Sequence, residues 1–249
     1  FVAKDWDALV EGDYESVFPL VWRKGLLGGK ELYQPQLMRA MGIYSIHVLS
    51  QARIRQFLEA LPEEYRAVDI HLNARNQPPE ELDFQVERLL NHQLLLNQPY
   101  EILAEDFSAP LREQLRRAEE YELVTTSSLK PETIAEFYLQ HTGDRARERN
   151  FHALQRIMYN VLHRGWGFAS GTRDPAGTLL AVNFYIYSHG RVLSLVPVAS
   201  PEGQNKGALP FLFNMLLRSH ATRPVVLDFN TERRHKPAER FGALRNYYY

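Results

Sequence analysis

Apolar and polar positions alternate in the opening residues. Trp6 to Val10 reads as a short strand closed by a Gly12-Asp13 turn, and Tyr14 to Trp22 as a second. The Gly28-Gly29 pair then turns the chain into Glu31 to Gln34, completing a three-strand meander. A short helical piece is expected around Leu37 to Met41. Gln51 to Leu61 follows as an amphipathic helix with Ile54, Phe57, Leu58 and Leu61 at helical spacing. Val68, Ile70 and Leu72 alternate as a strand, and Phe84 to Leu96 reads as another.

The middle of the chain is punctuated by caps. Ser108 is placed to cap a helix from Ala109 to Glu120, whose apolar face is Leu111, Leu115 and Ala118. A strand, Glu122 to Thr126, comes next. Pro131 fits the first turn of a helix running to about His141 and stopped by Gly143. A second helix, about Glu148 to Arg164, carries Phe151, Leu154, Ile157, Met158, Val161 and Leu162 on one stripe and ends at Gly165. Trp166 to Thr172, Leu179 to Tyr187 and Val192 to Val198 then form a second meander. A glycine-containing loop, Ser200 to Gly207, leads into a helix from about Ala208 to His220. Val225 to Phe229 is a buried-type strand, and Leu244 to Tyr249 closes the chain.

The 249 residues, 45% hydrophobic and 24% charged, are enough for one large domain or two small ones and disfavour disorder or coiled coil. With no cysteine, disulfides, thiolate nucleophiles and cysteine-ligated zinc are excluded. No apolar run approaches the roughly 20 residues that span a bilayer, so the expectation is a cytoplasmic protein without a membrane partner. The net charge of -1 provides no global attraction for nucleic acid. The halves differ, however: residues 1 to 117 carry 13 Lys+Arg against 18 Asp+Glu, whereas residues 118 to 249 carry 16 against 12. The second half is therefore the better host for a phosphate-bearing ligand.

From Glu122 onward the order strand, helix, helix, three-strand meander, loop, helix, strand, short helix, strand resembles the GNAT acyltransferase fold. The first half resembles a second copy lacking its opening. Two copies in one chain are similar to the tandem Fem-like transferases, relatives of the peptidoglycan aminoacyl transferases. Local phrases carry the likeness: Leu111 to Ala118, Val226-Leu227-Asp228-Phe229, and Arg240-Phe241-Gly242-Ala243 with the closing run Tyr247 to Tyr249. The resemblance implies a mixed α/β (α+β) protein of two tandem GNAT-like domains, residues 1 to 107 and 108 to 249. Each would have a mostly antiparallel central sheet flanked by helices, with the donor site in the second.

Glycine in a loop before a helix lets a ligand approach the backbone, and the helix N-terminus favours an anion. GNAT enzymes bind coenzyme A with a Gln/Arg-x-x-Gly-x-Gly/Ala loop. Gln204-Asn205-Lys206-Gly207-Ala208 matches it through the first glycine, but Leu209 stands where Gly or Ala is expected. A plain surface loop capping the helix is the bland alternative. Pro197 has no N-H for a ladder. It either ends its strand or, as the resemblance implies, marks the gap between diverging strands that holds the pantetheine arm, with Val196 and Val198 on its wall.

Acyl transfer to an amine needs proton removal, oxyanion stabilisation and an acid for the leaving group. The candidates are Asp228 and Tyr185, beside Tyr187 and the C-terminal tyrosines, against core packing or a salt bridge as the alternative role. His141, His152 and His163 recur at intervals of eleven, but Gly143 and the charged stretch Asp144 to Arg149 interrupt any common helix. No metal-binding spacing occurs, and Arg233-Arg234-His235-Lys236 reads as a solvated basic loop. The sequence thus points to an N-acyltransferase moving an acyl group from acyl-CoA, such as acetyl-CoA, to a small-molecule or peptide amine, with no metal. An aminoacyl-tRNA-dependent Fem-like transferase and a non-catalytic GNAT-like binding protein are the alternatives. Acceptor, oligomeric state and pathway are not encoded in any recognisable motif.

Overall fold

The computed structural model describes residues 3–25, 28–127, 129–142, 151–231 and 234–249. The expected stop at Gly143, the charged stretch Asp144 to Arg149, the expected helix start at Glu148, and Arg233 of the basic run lie outside the described residues. The chain divides into two compact units, Phe1–Leu90 with Asn246–Tyr249, and Asn91–Arg245. The segment from Asn91 to Phe107, read above with the first half, thus belongs to the second unit.

The first unit is built on strands β1 (Trp6–Glu11), β2 (Ser16–Lys24), β3 (Lys30–Tyr33), β4 (Tyr44–Ser45) and β5 (Tyr65–Asp69), with helix α1 (Gln51–Glu59). Sheet order is β1-β2-β3-β5, with β4 on β2. All pairs are antiparallel except β3 and β5. A parallel pair cannot be joined by a tight turn, and here the chain crosses over through α1. Phe18 and Leu20 on β2, Leu32 on β3, and Ile54, Phe57 and Leu58 on α1 form its core. The helix expected at Leu37 to Met41 is absent. Leu37 sits at φ +68, Asn76 Oδ1 accepts from Ile43 N, and Asn73 donates to the Met41 carbonyl. Side chains thus take backbone groups that a helix would have paired internally.

The second unit contains β6 (Leu89–Leu95, which begins two residues before it), α2 (Tyr100–Glu105), α3 (Ala109–Glu120), β7 (Val124–Thr126), α4 (Pro131–Thr142), α5 (Phe151–His163), β8 (Gly167–Arg173), β9 (Leu179–Ser188), β10 (Arg191–Ser194), β11 (Val198–Ala199), α6 (Pro201–Asn205), α7 (Ala208–His220), β12 (Val226–Asp228) and α8 (Lys236–Glu239). Strand β13 (Leu244–Tyr248), of which Leu244 and Arg245 belong to this unit, completes the sheet order β13-β6-β12-β10-β9-β8-β7, with β11 on β9. β10 and β12 are parallel, and α7 makes the crossover. An apolar cluster gathers Leu111, Tyr185, Phe213, Leu217, Leu227 and Phe241. Ser108 Oγ does accept from Leu111 N at the start of α3. Ser108→Ala is expected to lower stability by about 1 kcal/mol in urea unfolding.

Two strands are shorter than their hydrophobic pattern. Of Phe84 to Leu96, only Leu89–Leu95 joins a sheet, and residues 84 to 88 are exposed. Val192 to Val198 is broken into β10 and β11, and that break shapes the candidate site.

Candidate active site

β10 runs parallel to β12 through three pairs, the last being Leu193 with Asp228. Beyond them the two walls part. On one side Val198 and Ala199 of β11 pair with Val182 and Ala181 of β9, and on the other Phe229 N donates to the His92 carbonyl on β6. Pro197 lies inside the irregular stretch, where its missing N-H costs no ladder bond. The Asn183 side chain bridges the break: its amide nitrogen donates to Ser194 Oγ at 2.8 Å, and its oxygen accepts from Val196 N at 3.1 Å. Asn183 and Ser194 are fully buried, so the sequence's polar Asn within an apolar strand is explained by this substitution for a missing strand partner.

Tyr185 lies two residues further along β9, opposite Ser194. Its ring is fully buried against Phe168 and Phe213. Its hydroxyl has no hydrogen-bond partner among the described residues, and the Asn183 amide beside it is spent on Ser194 and Val196. Burial pushes the phenol well above its ordinary pKa, so it stays a protonated donor.

The segment read as a phosphate loop is itself helical. Ser200 caps α6, accepting from Gly203 N with its hydroxyl and from Gln204 N with its carbonyl; Lys206 N bonds Glu202 O and Gly207 N bonds Gln204 O. An open cradle would have presented those N-H groups to an anion. Gln204 and Asn205 are exposed, and Ala208 is buried, its carbonyl accepting from Thr172. Lys206 pairs with Glu202 at 2.7 Å and Asp174 at 3.4 Å, so its charge is already met. Of the N-H groups opening α7, Phe211 donates to Gly207 and Pro210 has none, which leaves Ala208 and Leu209.

Two glycines are there for contact with the protein's own backbone. Gly207 adopts φ +72, and a Cβ there would come within 2.9 Å of the Gln114 carbonyl on α3. At Gly203 a Cβ would stand 2.1 Å from the Leu180 carbonyl of β9. Backbone on both sides cannot yield as a side chain could, so Gly203→Ala is expected to cost roughly 1–3 kcal/mol, read by chemical denaturation.

Asp228 is 2% exposed and fully engaged. Its oxygens accept from Asn91 Nδ2 at 2.8 Å, Gln93 Nε2 at 2.9 Å, Arg191 at 3.1 Å and Asn230 N at 2.9 Å. Asn91 in turn accepts from Thr231 N at 2.9 Å. The carboxylate therefore ties β6, β10 and the end of β12 together.

Beside it lies a group that the sequence reading missed. His92 is fully buried on β6, with Nδ1 2.8 Å from Thr231 Oγ1 and Nε2 3.6 Å from Glu239 Oε1 of α8. Arg245 and Arg234 hold Glu239 down to about 2. Burial lowers the pKa of His92, and it does the same to His235 and to His220, which stacks on Phe168. The available signal was Asn91-His92-Gln93, three polar residues inside an apolar strand. In the unfolded chain these histidines titrate near 6.5, so between that value and their lower folded values the unfolded state binds more protons. Stability is then present above pH 6.5 and lost as pH falls through the folded values. Thermal melts from pH 7.5 to 5 are expected to show the decline, and a flat profile would refute it.

The first unit has its own cavity of about 380 Å³, lined by Leu72, Leu82, Phe84 and Tyr249 with Asp69 and Glu87 at its polar positions. Among the described residues no group of three His, Asp or Glu side chains is arranged to hold a metal ion, and no helix is long and apolar enough to cross a membrane.

No family model matches this sequence, and no curated protein matches it. Solved structures do. FemX superposes with a TM-score of 0.64 at 11% identity, covering 98% of this chain and 88% of that one. L-PGS from Bacillus licheniformis gives 0.54 at 13% identity, covering 98% and 83%. A conserved protein of unknown function from Bacteroides thetaiotaomicron gives 0.57 at 14%, covering 94% and 82%. At these identities the likeness is one of fold: the chain folds as FemX and L-PGS do.

Proposed function

We propose that the protein is an N-acyltransferase whose second unit holds an activated acyl group where β10–β11 and β12 part. The observation that carries this reading is the broken strand: Asn183 replaces a strand partner at Val196, and beside the break the buried Tyr185 hydroxyl has no hydrogen-bond partner among the described residues. An ammonium acceptor loses a proton to water and attacks the acyl carbon, the carbonyl oxygen gains negative charge, and as the tetrahedral intermediate collapses the leaving group departs with a proton from the attacking nitrogen, directly or through water. Tyr185 supplies the hydrogen-bond donor for that oxygen or for the leaving atom. Asp228 fixes the wall of the gap, its lone pairs being committed to four donors. Val196 and Val198 line the other wall, and Gln204 to Ala208 close its end.

Acyl-CoA is the first donor to test, with a small-molecule or peptide amine as acceptor. The second reading, an aminoacyl-tRNA donor, is favoured by α6, whose internally bonded N-H groups and ion-paired Lys206 leave little for a pyrophosphate. Thermal unfolding with acetyl-CoA and longer acyl-CoAs separates them: a ligand at about 100 times its Kd stabilises by roughly 2.7 kcal/mol. A shift abolished by Lys206→Ala, whose side chain is partly exposed, supports the acyl-CoA donor. No shift, together with a tRNA complex that weakens steeply with salt, transfers the assignment to the aminoacyl ester. Neither response would leave a non-catalytic binding scaffold.

A further inference from the structure

We propose that Thr231, His92 and Glu239 form a hydroxyl-activating relay, making Thr231 Oγ1 an acyl-accepting nucleophile for an activated ester or thioester. Thr231 lies three residues beyond Asp228, where the chain has already left β10. Its Oγ1 is 2.8 Å from His92 Nδ1 and 3.3 Å from Asn91 Oδ1, which already accepts the Thr231 N-H at 2.9 Å. Of these two contacts the one to the imidazole is shorter, and the relay places the hydroxyl proton on it. The other ring nitrogen then carries the hydrogen. Nε2 has no hydrogen-bond partner among the described residues, and the nearest anionic atom is Glu239 Oε1 at 3.6 Å. A hydroxyl on one imidazole nitrogen and a carboxylate facing the other is the arrangement by which a neutral histidine withdraws a proton and the carboxylate stabilises the resulting cation.

Three features fit this use. Glu239 is held ionised by Arg234 and Arg245. Burial keeps His92 neutral in its resting state, and Thr231, at 8% exposure against 0% for His92, is the relay residue nearer the surface. Asn91, anchored by Asp228, fixes the Thr231 backbone. In the step itself Thr231 Oγ1 bonds to the acyl carbon while its proton passes to His92 Nδ1. The tetrahedral intermediate then expels the leaving alcohol or thiol, which takes that proton. The product is an O-acyl Thr231 ester, which an amine or water cleaves, returning a proton to Oγ1.

The test uses p-nitrophenyl acetate on the purified chain, with peptide mass spectrometry and release of p-nitrophenol as readouts. One acetyl group is expected on Thr231. It should persist in Thr231→Ser, vanish in Thr231→Ala and form at least 10-fold more slowly in His92→Gln. The labelling rate should rise with pH as His92 loses its proton, in a field set by Glu239, His235, Arg234 and Arg245. Acetyl found only on lysine or tyrosine, or His92→Gln labelling at the wild-type rate, overturns the proposal. If His92→Gln does not fold, imidazole nitrogen NMR of the wild type decides: hydrogen on Nε2 with bare Nδ1 is expected, and the opposite tautomer refutes the relay. The assay contains neither coenzyme A nor tRNA, so its failure is distinguishable from failure of the donor assignments above.

Discussion

Asp228→Ala is expected to lower unfolding free energy by about 3 kcal/mol or more. Its carboxylate is 2% exposed and accepts from Asn91, Gln93, Arg191 and Asn230. Removing it takes the acceptor from the buried Asn91 amide and one acceptor each from half-buried Gln93 and Asn230, and opens a space that the smaller side chain leaves unfilled; a buried unsatisfied donor costs about 1–3 kcal/mol and the space adds to it. Arg191 adds less, because its side chain is 45% exposed and regains water. Asp228→Asn keeps the shape but turns one acceptor into a donor facing Gln93 or Arg191, so an intermediate loss is expected. Urea unfolding of the three proteins measures both. A loss below about 1 kcal/mol for alanine would mean that the carboxylate does not anchor the strands, and that its pairing with Arg191 is free for chemistry.

The second large effect separates activity from stability. Tyr185→Phe removes a buried hydroxyl that has no hydrogen-bond partner among the described residues, so stability is expected to hold or rise by about 1 kcal/mol. Acyl transfer, by contrast, is expected to fall by roughly 10²-fold, the size of effect seen when one donor to a developing oxyanion is lost. Melting temperature and kcat measured on the same preparation make the comparison. A variant that is both less stable and equally active would assign the hydroxyl to packing and remove Tyr185 from the reaction.

These two residues show how unevenly the site was legible. Both were named from sequence, Asp228 because a carboxylate closing an apolar strand needs a reason, Tyr185 because it sits in the second meander. Their roles differ for reasons that no local pattern holds. Asp228 is surrounded by donors 135 and 137 residues away in Gln93 and Asn91, whereas Tyr185 ends among Phe168, Phe213 and an already committed Asn183. The loop at Gln204 to Ala208 was read for its glycine, and Gly207 does adopt a positive φ. Its neighbour Gly203 is required by the close passage of β9, and Ser200 and Pro201 make the segment a helical turn.

The sequence by itself determined what short-range physics controls. Ser108 started α3, Gly207 opened α7, alternation placed β8 and β9, and the order of elements pointed to the fold that the superpositions show. Tertiary structure alone decided where Phe84 to Leu96 would pair, that the pattern at Val192 to Val198 would break, and that His92 would meet Thr231, 139 residues away. A strand's hydrophobic pattern says that it is buried, but which donors face it depends on which strand lies beside it. That choice is made by long-range packing and by the need to satisfy every buried polar group.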